Sequence, residues 1–202
     1  MNNTEKEDSL TLELLAAIDD QSDLTQRHLA DRLGVALGLA NSYLKRCVRK
    51  GLIKIQQAPP NRYFYYLTPK GFAEKSRLTA RYLSSSFDFY RKAGLSCTEV
   101  FRQCRENGWE KVLLCGQSEL AEIASLRADE ENIVVVGVLD LKADQNKFIG
   151  LPVWTSMDLL PDFDACVLTA LTAQEPLLDY LHRHMEQDRI LVPAILGISI
   201  KN

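Results

Sequence analysis

No apolar run in these 202 residues approaches the roughly 20 that a membrane-crossing helix requires, so no membrane contact is expected. The first eight residues, Met-Asn-Asn-Thr-Glu-Lys-Glu-Asp, are acidic and polar where a secretory leader would be basic and then apolar, and the expected location is the cytoplasm. Histidine is scarce. Of the three, His182 and His184 stand two positions apart and diverge by roughly 200° on a helix, so they cannot chelate one ion and no metal is expected. The five cysteines, Cys47, Cys97, Cys104, Cys115 and Cys166, are odd in number and contain no Cys-x-x-Cys pair, which argues for reduced, buried thiols over a disulfide framework. A complete catalytic set is also missing. Gly116-Gln-Ser118-Glu-Leu is a nucleophile elbow without its last glycine. Its possible partners, Asp140 or Asp164 with His182 or His184, include histidines set in a charged helix whose polar side faces water, so the chain is not expected to be an enzyme.

What is present is ordinary globular material, 46% hydrophobic and 25% charged, enough for one large domain or two small ones. The net charge of -3 conceals a division: residues 1–80 carry +3 and residues 81–202 carry -6. Within 24–77, eleven Lys and Arg face only Asp31 and Glu74, a local excess of nine positive charges. Such a stretch is the electrostatic footprint of a nucleic-acid binder.

The pattern over that stretch predicts three short helices: 10–19, about 25–33 capped by Ser22 or Thr25, and about 36–50. Gly34 supplies the turn between the second and third. The third puts Leu37, Ala40, Leu44 and Val48 inward, leaving Gly38, Asn41, Ser42, Lys45, Arg46 and Arg49 on or beside the outer face. Gly51-Leu-Ile-Lys-Ile and Arg62-Tyr-Phe-Tyr-Tyr-Leu-Thr then predict a hairpin joined by Gln56–Asn61, and a helix from Lys70 toward Tyr90 follows. In this arrangement Asn41 and Ser42 are candidates for base edges, Lys45, Arg46 and Arg49 for phosphate or guanine, and Arg62 for the minor groove or backbone of double-stranded DNA.

Leu24-Thr-Gln-Arg-His-Leu-Ala-Asp-Arg-Leu-Gly-Val, Asn41-Ser-Tyr-Leu-Lys-Arg-Cys-Val-Arg-Lys-Gly-Leu-Ile and Tyr66-Leu-Thr-Pro-Lys-Gly resemble winged helix-turn-helix regulators of the MarR type, particularly the short branch associated with bacterial exopolysaccharide gene clusters. The resemblance covers about residues 8–92 and implies a DNA-binding transcriptional regulator. Ala36 departs from it, standing where such proteins often carry a Ser or Thr cap. One recognition helix reads too little sequence alone, so a homodimer on paired half-sites is expected, with residues 70–93 as its contact helix.

From Glu110 the pattern changes to apolar strands, 111–115, 132–139, 165–169 and 189–192, separated by helices at about 118–128 and 174–187, with another helix at 96–107 before them. This predicts a small Rossmann-like parallel sheet covered on both faces. The expected organisation is a winged helix-turn-helix of α+β type over 1–76, a helical connector over 77–108, and a Rossmann-like α/β domain over 109–202. Gly116 after the first strand and Asp140 after the second are half of a dinucleotide fingerprint, with Ser118 and Ala121 at the other glycine positions.

Val112-Leu-Leu-Cys-Gly-Gln-Ser-Glu-Leu-Ala-Glu-Ile-Ala, Val136-Gly-Val-Leu-Asp and Phe148-Ile-Gly-Leu-Pro-Val are similar to the N-terminal Rossmann-like part of sugar O-acyltransferases and nucleotide-sugar epimerase relatives. That likeness implies a cleft lined by Gly116, Gln117, Ser118, Asp140 and Thr169 for a nucleotide sugar or dinucleotide effector. The left-handed helix domain that performs acyl transfer in those enzymes is absent, so their activity does not carry over. The alternatives left open are a ligand-free dimerisation or docking domain and a nucleotide-sugar-modifying enzyme.

Overall fold

Leu14, Leu15, Ala17 and Ile18 are sealed from solvent along one side of the first helix, α1 (Asn3–Asp20), and seed the first of three cores. The computed structural model describes residues 3–58, 62–158 and 160–198, the side chains of 3–5, 58 and 62 excepted. Helix α2 (Gln26–Arg32) starts where the Thr25 hydroxyl accepts the His28 N–H at 3.2 Å. A cap of this kind contributes about 1 kcal/mol. Gly34 turns the chain at φ +59, and Val35 N–H returns to the Ala30 carbonyl at 3.1 Å. Helix α3 (Leu37–Arg49) then buries Ala40, Leu44 and Cys47. Leu37, expected on this inner stripe, is instead exposed on the first turn, ahead of the core that α3 covers.

Strands β1 (Ile53–Ala58) and β2 (Arg62–Leu67) pair antiparallel from Ile53 with Leu67 to Ala58 with Arg62. Gln56, Gln57 and Ala58 thus extend the first strand; the remainder of the expected loop, 59–61, lies outside the described residues. Buried Tyr65 donates its N–H to the Ser22 carbonyl at 2.8 Å and ties the hairpin to the turn before α2. The exit Leu-Thr-Pro-Lys-Gly has a mechanical explanation. Thr68 Oγ1 donates to the Gly51 carbonyl and accepts from Gly71 N–H at 3.0 Å, while Pro69 opens α4 (Pro69–Glu106) at a position where no N–H is needed. At Gly71 a methyl group would stand 2.1 Å from the Leu52 carbonyl oxygen, so only glycine lets the helix start against the strand.

The chain divides into two compact units, Met1–Ser86 and Phe87–Asn202, and the division falls inside α4. Helix is continuous through Ser84-Ser-Ser and Gly94, where two separate helices were expected.

In the second unit, β3 (Lys111–Cys115), β4 (Val134–Leu139), β5 (Lys147–Phe148), β6 (Leu151–Trp154), β7 (Ala165–Leu168) and β8 (Ile190–Leu191) form one sheet in the order β5-β6-β4-β3-β7-β8. All neighbours are parallel except the β5–β6 pair. The unit is therefore a mixed-sheet α/β fold following a winged helix, and the antiparallel β5–β6 hairpin, turned at Ile149 and Gly150, is an element the apolar-run pattern did not separate. Along β3, Val112 and Leu114 pack with Phe101 of α4 and Leu120 of α5 (Glu119–Glu130), whereas Leu113 and Cys115 pack with Leu181 of α6 (Gln174–His184). Both faces are covered, which is why the strand reads as unbroken apolar sequence.

Asp164 anchors the start of β7 to β3, accepting N–H bonds from Lys111 at 2.8 Å and Glu110 at 2.9 Å. The Lys111 bond leads in holding this carboxyl below its ordinary value of 3.8, with Arg189 and Lys111 charges adding to it. Because the folded value is the depressed one, the stabilisation is present above the ordinary value and is lost as pH falls through the lowered folded one. Asp164→Asn is expected to melt below wild type at pH 6, and the gap is expected to close as the medium is taken below pH 4, read by tryptophan fluorescence.

Candidate nucleic-acid interface and cleft

On α3, Gly38, Ser42, Lys45 and Arg49 recur at i, i+4, i+7 and i+11 and are all exposed, forming one polar, basic stripe opposite Ala40, Leu44 and Cys47. Ser42, Lys45 and Arg49 stand where the sequence placed them. Arg46 does not join the stripe: it pairs with Glu7 of α1 at 3.0 Å, and its guanidinium lies 4.9 Å from the Tyr43 ring centre. Asn41 is half-buried, with an Oδ1 atom that is enclosed and has no hydrogen-bond partner. Arg62 opens β2, and its side chain lies outside the described residues. Sequence reasoning missed Leu37 and Leu39, which are 44% and 45% exposed on the first turn beside the stripe. Ala36 caps α3 with no side-chain bond, as its residue type dictates.

Residues 7–54 match a winged helix-turn-helix DNA-binding family. The match covers most of α1, all of α2 and α3 and the first two residues of β1. Among solved structures, the PcaV transcriptional regulator of Streptomyces coelicolor is 26% identical over 38% of this chain and 57% of its own, with a TM-score of 0.35. FabT of Streptococcus pneumoniae, solved in complex with DNA, is 24% identical over 39% of this chain and 55% of its own, with a TM-score of 0.32. This chain thus spans less than two thirds of either regulator's length. Human N-acetylserotonin methyltransferase, solved with SAM, aligns over 94% of this chain and 76% of its own at 14% identity and a TM-score of 0.38. No curated protein matches the sequence.

In the second unit the five parallel strands run, in chain order, as third, second, first, fourth and fifth across the sheet, so the order reverses between β3 and β7. Open α/β sheets bind ligands at that switch point, outside the carboxyl ends of the strands. A cleft of about 280 Å³ lies there, walled by Gly116 and Gln117 after β3, Asp140 to Asp144 after β4, and Ala170 to Ala173 after β7. Three of the five expected ligand residues, Gly116, Gln117 and Asp140, are brought together in it. The other two are turned to the frame. Ser118 Oγ accepts the Leu120 and Ala121 N–H groups of α5 and donates to the Thr169 carbonyl at 2.6 Å, while fully buried Thr169 donates to the Gly116 carbonyl at 2.6 Å. Lys142 after β4 and Thr172 and Ala173 after β7 were not foreseen, because the strand-end pattern marks where a strand stops and not how the following loop returns.

Asp140 accepts from the Gln117 and Lys142 N–H groups, each at 3.0 Å, and so holds both loops. Gln117 Oε1 accepts from Gln145, leaving its enclosed Nε2 without an acceptor. Ala173 takes the left-handed conformation at φ +52, a strain of the kind that gathers at binding sites. A wider groove of about 570 Å³ in the first unit, between Asp23–Gln26 and Tyr63–Tyr65, has its Thr25 hydroxyl and Tyr65 N–H already paired. All five cysteines are buried. Burial pushes the Cys97 and Cys104 thiols to about 11, and burial with the Cys166 thiol beside it raises Cys115 as well, so Cys115 is held as a thiol. Among the described residues there is no metal-binding cluster and no helix long and apolar enough to cross a membrane.

Proposed function

We propose that this protein is a transcriptional regulator that reads double-stranded DNA with α3 and takes a small effector in the β3–β7 cleft. The observation that carries the first half is the exposed stripe of Ser42, Lys45 and Arg49 on the second helix of a turn belonging to a DNA-binding family match. The protein acts as a homodimer in the cytoplasm on paired half-sites; Phe87 and Tyr90, at i and i+3 on α4, stay exposed and support self-association. The effector half is supported by the switch-point position, the Asp140 carboxylate and the unpaired Gln117 amide. A nucleotide or nucleotide sugar fits this chemistry, with ribose hydroxyls toward Asp140. At about 280 Å³ the cleft encloses one end of such a ligand, a sugar or a base, and leaves the rest outside it.

The test is thermal unfolding against UDP-sugars, simple nucleotides, NAD, NADH and CoA. A ligand at 100 times its dissociation constant stabilises by about 2.7 kcal/mol. A UDP-sugar or mononucleotide is expected to raise the melting temperature of wild type but not of Asp140→Ala, and to change DNA affinity. Silence across the panel would overturn the sensor assignment and leave a docking or dimerisation domain.

A further inference from the structure

Gly38 lies at the N-terminal end of the α3 stripe, and nothing in the protein requires it to be glycine. Six of the ten glycines take positive φ, and at three others, Gly71, Gly94 and Gly137, a methyl group would strike a neighbouring atom. Gly38 alone has ordinary helical φ and, among the described residues, no atom within 4 Å of the place a methyl would occupy. In the first turn of a helix glycine still gives up more backbone freedom on folding than alanine would. A cost with no return inside the fold points to a partner outside it. Gly38 lies in register with Ser42, Lys45 and Arg49, one turn before Ser42, and Leu37 and Leu39 flank it with exposed side chains.

We propose that Gly38 is where the α3 backbone seats directly against the DNA duplex, the missing side chain giving α3 the depth that brings its leucines and basic side chains to the groove. This rests on the DNA-binding reading of α3 and adds a position that sets how closely the helix approaches. A methyl group at Gly38 would be harmless to the free protein and would stand between the helix and the duplex in the complex. The two effects have opposite signs, which separates this role from a structural one.

The experiment first selects a duplex from a random-core pool with full-length wild-type protein, then compares Gly38→Ala on that duplex. The variant is expected to melt about 2–5 °C higher by circular dichroism, because alanine restricts the unfolded chain and favours helix. It is expected to bind the selected duplex at least 10-fold more weakly. Affinity within twofold of wild type would overturn the proposal while leaving the DNA-binding reading intact. A lowered melting temperature together with lost binding would assign Gly38 to the fold and overturn it equally. If wild type retains no duplex from the pool, the DNA-binding reading itself falls and the proposal with it.

Discussion

Lys45→Ala with Arg49→Ala is expected to weaken binding to any duplex by about 60-fold at 0.1 M salt and to flatten the plot of log affinity against log salt by about 1.8. Each neutralised phosphate contributes about 0.9 to that slope through released counterions, so two lost contacts fix both numbers together. Both side chains are exposed and make no ion pair among the described residues, so the melting temperature should not move. Arg46→Ala is the contrasting control. Its guanidinium serves Glu7 and the Tyr43 ring, and its loss should leave the salt slope unchanged. Fluorescence anisotropy on a labelled duplex at four salt concentrations measures both; an unaltered slope for the double variant would remove phosphate contact from α3.

Gly116→Val is expected to destabilise the second unit severely, by about 3–5 kcal/mol. Two independent demands meet there. The backbone sits at φ +103, and a Cβ would stand 2.5 Å from the Ala170 Cβ and 2.7 Å from the Ala170 nitrogen. The Ala170 nitrogen also donates to the Cys115 carbonyl at 3.0 Å, so the loop after β7 cannot step back without breaking its own bond. Trp109 and Trp154 both belong to this unit, and they are the only tryptophans, so their fluorescence reports its melting alone. A variant melting within 3 °C of wild type by that signal would show that the β3–β7 junction yields.

The contrast between Gly116 and Gly38 marks what the sequence could and could not disclose. The winged helix was legible almost residue by residue, since Gly34, the Thr25 cap, the β-branched and aromatic hairpin and the Thr68-Pro69 start are local signals with local causes. The alternation of two parallel cores through β3 was legible as well, because burial on both faces leaves only apolar residues. Less legible were roles decided by distant partners. Arg46 has the same spacing as a groove-facing arginine, and only the arrival of Glu7, 39 positions earlier, diverts it. Ser118 and Thr169 look like ligand hydroxyls at strand ends, yet each hydroxyl donates to a backbone carbonyl more than 50 positions away. Helix propensity likewise did not reveal that α4 passes through three consecutive serines and a glycine; at Gly94 the Arg127 guanidinium packs where a methyl would stand, 2.9 Å from its Nε.

The two rims of the second unit's sheet have a consequence for its behaviour at high concentration. β5 and β8 are each two residues long, and Pro193 follows β8 two positions on. Neither rim presents the row of free N–H and carbonyl groups that lets a stray strand add on and begin a fibril. Any lasting association of this unit must therefore go through side chains on its helices, and crowding should yield discrete oligomers, not cross-β aggregates.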